Sequence, residues 1–91
     1  MKLNSEMVDR TLRQIDAHAI SEDHPLLPKL KTIFGDHTFF VDATGLNIIE
    51  PLEETPQRGT LLKVARWDDT KKLIAHEPES TDVVVELVPT H

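Results

Sequence analysis

Residues 38–51, Thr-Phe-Phe-Val-Asp-Ala-Thr-Gly-Leu-Asn-Ile-Ile-Glu-Pro, constrain this chain more than any other stretch. Two apolar, β-prone runs flank Asp42-Ala43-Thr44-Gly45, and that tetrapeptide has turn chemistry. The Asp42 carboxylate can accept backbone hydrogen bonds two residues on. Ala43 and Thr44 suit the right-handed positions of a type I turn, and Gly45 the left-handed bulge position after it. This spacing predicts a hairpin with Asp42 opposite Leu46, Phe40 opposite Ile48 and Phe39 opposite Ile49. Phe40, Leu46 and Ile48 would then share one face, and Phe39, Val41 and Ile49 the other. Both faces are apolar, so each needs a cover.

The rest of the chain supplies few covers. Residues 5–19 fit one amphipathic helix, with Val8, Leu12, Ile15 and Ala19 as its stripe and Asn4 or Ser5 as its cap. Residues 26–34 fit a short helix, with Pro28 in its first turn and Gly35 at its stop. The alternative is a strand over 29–34 closed at Gly35-Asp36. Two further strands follow. Residues 60–67 place Leu62 and Val64 against Leu61, Ala65 and Trp67. Residues 82–88 place Val83, Val85 and Leu87 against Val84 and Val88, with Pro89 as the stop. Residues 76–81 read as a polar loop. The expectation is a single α+β domain over residues 1–91. One or two N-terminal helices pack on a four-stranded antiparallel meander built around the hairpin, with strands at 38–42, 46–50, 60–67 and 82–88.

Composition narrows the function classes. The chain has no cysteine, which removes disulfides, thiolate metal sites and thiol catalysis. Sixteen acidic against ten basic residues give a net charge of −6, and the lysines and arginines occur as short pairs between acids. Such a surface repels phosphate backbones, and a single Trp, three Phe and no Tyr leave little for base stacking. No apolar run approaches a membrane span, and residues 1–6 have no signal-peptide pattern. A soluble cytoplasmic protein with neither nucleic acid nor membrane as partner is the expectation.

No phosphate loop, His-Glu-x-x-His, calcium loop or nucleophile elbow is present, so no catalytic residue and no cofactor is assigned. Asp42, Asp68, Asp69, His76, Glu77, Glu79 and Asp82 would meet at one end of a meander, near Lys71 and Lys72. Converging carboxylates are what a divalent ion requires, so these form the metal-dependent alternative. Turn capping is the competing role for the same acids. The main expectation is a non-enzymatic interaction or homo-oligomerising domain. It would self-associate, or bind a protein partner, through the sheet face left bare, with Phe39, Val41, Ile49, Leu61, Ala65 and Trp67 as interface candidates.

Overall fold

A computed structural model describes residues 3–21 and 23–88. In chain order the elements are α1 (Ser5–Leu12), β1 (His18–Ala19), α2 (Leu27–Phe34), β2 (Phe40–Val41), β3 (Gly45–Pro51), β4 (Arg58–Trp67) and β5 (Leu73–Glu86). The five strands form one antiparallel sheet in the order β1-β2-β3-β4-β5. The fold is α+β, with one more strand than the sequence suggests. The expected stop at Pro89 lies outside the described residues.

The extra strand comes from the region expected to extend the first helix. Asn4 caps α1 by accepting from the Met7 amide at 2.9 Å. The helix closes at Leu12, where the Gln14 and Ile15 amides both donate to the Thr11 carbonyl. Beyond it, Ile15, Ala17 and Ala19 alternate with polar residues, and this period of two wins over the helical spacing of the same side chains. His18 and Ala19 then pair with Val41 and Phe40. Residues 27–34 are helical, and Gly35 ends that helix at φ +93°, a conformation that favours glycine.

The hairpin forms one residue out of the expected register. Phe40 pairs with Asn47 and Val41 with Leu46, and the Asp42 amide donates to the Gly45 carbonyl at 2.9 Å. The loop is therefore Ala43-Thr44 alone. Gly45 serves a close approach instead of a bulge: a Cβ there would lie 2.0 Å from the Ala65 carbonyl oxygen. Because side chains alternate, the one-residue slip moves Phe39 and Val41 to the side of Leu46 and Ile48, and Phe40 to the side of Ile49. A second re-phasing occurs in β4. Leu46 pairs with Ala65 and Asn47 with Lys63, which leaves Val64 as an extra residue. Ala65 consequently joins Leu62 and Val64, while Leu61 stays on the other side.

β5 is fourteen residues long and absorbs the expected loop at 76–81. Its pairing with β4 shifts twice: residues 76–78 lie between the Ala65–Ala75 and Lys63–Glu79 pairs, and residues 81–83 between Leu62–Ser80 and Thr60–Val84. As the edge strand it can hold Pro78, whose missing donor would break a central strand.

Two cores result, one on each side of the sheet. α2 contributes Leu27 and Leu30 to a cluster with Phe39, Leu46, Ile48, Val64 and Ala65. α1 brings Met7, Val8 and Leu12 against Leu3, Phe40, Ile49, Leu61, Val85 and Leu87. The expectation that the helices share one face, leaving the other bare, is thus corrected. Each side receives one helix, and the helices sit at opposite ends. α2 lies at the Gly45 end, over Leu46, Ala65 and Leu73. α1 lies towards the Pro51 end, over Ile49, Leu61 and Val85.

Candidate functional site

On the α1 side, the Gly45 end is filled by a polar cluster. Asp42 is its centre. Its Oδ1 accepts from the Thr44 amide, the Thr44 hydroxyl and the Gly45 amide, each at 2.8 Å. The Lys63 ammonium lies 3.2 and 3.3 Å from its two carboxylate oxygens and 3.0 Å from Asn47 Oδ1. Asn47 Nδ2 donates to Asp42 Oδ2 at 3.0 Å and to the Phe40 carbonyl at 3.2 Å. Trp67 adds its indole N–H to the Asp42 carbonyl at 3.0 Å.

Lys63 is buried, an arrangement tolerated only because its donors are used. Burial pushes the Asp42 carboxyl up, but hydrogen bonds from Thr44, Asn47 and Gly45 outweigh it and hold the pKa at about 2. Beside this cluster Arg66 and Glu79 form an exposed pair at 2.7 Å, and the Arg66 hydrogen bond lowers the Glu79 pKa. The side chains are saturated with protein partners. The chemistry they support is a clamp on the hairpin turn.

The expected metal ligands are dispersed. Asp42 already holds an ammonium where a divalent ion would have to sit. Asp68 closes the β4–β5 turn, its Oδ1 accepting from the Thr70 amide, the Thr70 hydroxyl and the Lys72 amide at 2.7–2.9 Å. Those bonds, led by the one from Lys72, lower its pKa. Asp69 is exposed on that turn. His76, Glu77, Glu79 and Asp82 are strung along β5, with His76 Nδ1 2.7 Å from the Glu77 carbonyl. Among the described residues no three His, Asp or Glu side chains converge as a metal site.

The interface candidates divide differently. Phe39, Ile49, Leu61 and Ala65 are buried inside the chain, and Val41 is half-buried. Only Trp67 is exposed, at 38%, beside Ala43 and Lys71.

The accessible apolar surface lies on the α2 side, and of the interface candidates Ala65 lines it. A cleft of about 160 Å³ opens between α2 and the sheet. Its walls are Leu26, Leu30, Ile33 and Phe34, its floor Leu46, Ala65, Leu73 and Ala75, and among the described residues Lys29 is its one charged residue. The depth has a local cause: Ala65 and Ala75 are directly paired across β4 and β5, and two methyl groups leave room that larger side chains would fill. Leu26 and Ile33, at 48% and 54% exposure, stand on the rim. Val84 is 52% exposed further along the same side, because its neighbour Val85 points into the α1 core. The Leu26–Ile33 spacing of seven was the one sequence signal for this rim.

Comparison with protein families, with curated proteins and with solved structures finds no match for the chain. Among the described residues no helix is long and apolar enough to cross a membrane.

Proposed function

We propose that this chain is a non-enzymatic interaction domain that binds protein surface through the α2 side of its sheet. The observation that carries the reading is the cleft between α2 and the β4–β5 pair, apolar on walls and floor and rimmed by exposed Leu26 and Ile33. Solvent-facing apolar side chains grouped around a concavity are characteristic of recognition surfaces, where one anchoring side chain fills a pocket. A volume of about 160 Å³ accommodates one large aliphatic or aromatic side chain and is well below the usual size of a small-molecule site.

The test is a titration of the dilute, folded protein with anilinonaphthalene sulfonate, an apolar probe whose sulfonate suits the lysine at the rim. Saturable fluorescence enhancement is expected, and Ile33→Glu should abolish it. Absence of saturable binding to the native protein would remove the reading.

A further inference from the structure

Resting on that interaction reading, we propose that the occupant of this surface is a second copy of the chain. The two copies dock face to face about a two-fold axis, so that α2 of each lies on the helix-free end of the other's sheet.

The first argument is length. β4 has ten residues and spans about 33 Å, whereas α2 has eight and spans about 12 Å. One helix cannot cover that side of the sheet. At the Pro51 end, Glu50, Thr60 and Val84 form a cross-strand row, Glu50 paired with Thr60 and Thr60 with Val84. Their chain neighbours Ile49, Leu61 and Val85 all point into the α1 core, so alternation turns the row to the α2 side.

The second argument is complementarity. Leu26, Lys29 and Ile33 are spaced i, i+3, i+7 and form one stripe along α2, apolar at both ends with a cation between. The row offers Val84 to the apolar part of that stripe and the exposed Glu50 carboxylate to Lys29. α2 has two lysines and no acid in a chain of net charge −6, whereas α1 carries Glu6 and Asp9, so α2 is the helix an acidic copy of the same chain tolerates better. A two-fold axis lying between the two faces and running across the strands sets the Gly45 end of each copy on the Pro51 end of the other. Both contacts are then made twice, and the assembly closes as a dimer.

The long edge of β5 is another route by which two copies could join, and it is obstructed. Pro78 and the two shifts of register interrupt it. Gln14 clamps it at Glu86, accepting from the Glu86 amide and donating to its carbonyl, both at 2.8 Å. Antiparallel pairing of Asp82–Glu86 with itself would also set Asp82 against Glu86.

Sedimentation of the full chain over a roughly hundredfold concentration range tests the proposal. The expected result is a reversible monomer–dimer equilibrium. Lys29→Glu and Glu50→Lys should each weaken it about tenfold, and the double variant should return it to within about threefold of the original, as reciprocal charges require. Circular dichroism of each variant verifies folding. A protein that stays monomeric while still binding the fluorescent probe overturns the dimer and leaves the interaction domain standing. A dimer indifferent to both charge reversals also overturns it, since association would then use another surface.

Discussion

Each side of the sheet carries one eight-residue helix, and the two sides differ in what occupies the end that the helix does not reach. On the α1 side that end holds Asp42, Asn47 and Lys63, bonded to one another at 3.0–3.3 Å. On the α2 side it holds the Glu50–Thr60–Val84 row, where the Glu50 charge acts on His37. The difference is instructive because both sides began with the same problem, a short helix on a longer sheet. A satisfied polar cluster turns a bare face into a self-contained one. On the α2 side no such cluster forms among the described residues, and Val84 stays 52% exposed in the row beyond the helix.

The sharpest way to break this comparison is to dismantle the polar cluster. Asp42→Ala removes the acceptor of three turn hydrogen bonds and leaves the buried Lys63 ammonium without its carboxylate. A loss of about 3–4 kcal/mol is expected in chemical denaturation. Lys63→Met should cost much less, about 1 kcal/mol, because Asp42 keeps its bonds to Thr44, Gly45 and Asn47 and the new side chain is apolar. Equal losses would mean that the ion pair, and not the turn, holds this end together.

The same carboxylate gives the pH dependence. Its folded pKa of about 2 lies below the ordinary 3.8, so the deprotonated form is favoured by folding. The resulting stabilisation, about 2 kcal/mol, is complete above the ordinary value and is lost as the pH falls through 3.8 towards about 2. Stability measured between neutral pH and pH 2 should show this loss in the native protein. Asp42→Ala should lack that component, with its remaining acid sensitivity coming from other groups.

The uneven legibility of the sequence has a physical basis. Helix caps and stops are local: Asn4, Pro28 and Gly35 act within a few bonds, and α2 with its stop, together with the α1 cap, appears where those residues place it. The antiparallel sheet likewise follows from alternating apolar runs. Register does not, because a two-residue and a three-residue loop both satisfy Asp42-Ala43-Thr44-Gly45, and choosing between them exchanges Phe39 with Phe40. The extra Val64 in β4 is equally silent in the sequence and moves Ala65 to the cleft side. The interface candidates were drawn from one face of an out-of-register hairpin, so most of them proved to be core. Lys63 looked like a surface residue until the pairing with Asn47 turned it towards Asp42.

A smaller effect is expected at the edge strand. Gln14 lies beyond the end of α1, yet its amide makes two hydrogen bonds to the Glu86 backbone, as a neighbouring strand would. Gln14→Ala should destabilise the protein by about 1 kcal/mol. It should also speed amide hydrogen exchange at Glu86 selectively, leaving the β3–β4 pairs protected. Uniform acceleration across the sheet would show that the clamp is not a local device.

The smallest stability effect carries the most information about the two sides. Ile33 and Ile74 are each 54% exposed, but Ile33 stands on the rim of the α2 cleft whereas Ile74 pairs with Arg66 on the α1 side. Leu73 belongs to the α2 core, so alternation directs Ile74 away from the cleft. Neither position is enclosed, and replacing either isoleucine with glutamate should change folding stability by no more than about 0.5 kcal/mol. The two variants should nevertheless separate completely in binding. Ile33→Glu puts a carboxylate at the mouth of an apolar cleft and should abolish probe binding, whereas Ile74→Glu should leave it unchanged. Equal behaviour would erase the distinction between the sides, because exposure alone would then account for what each isoleucine does.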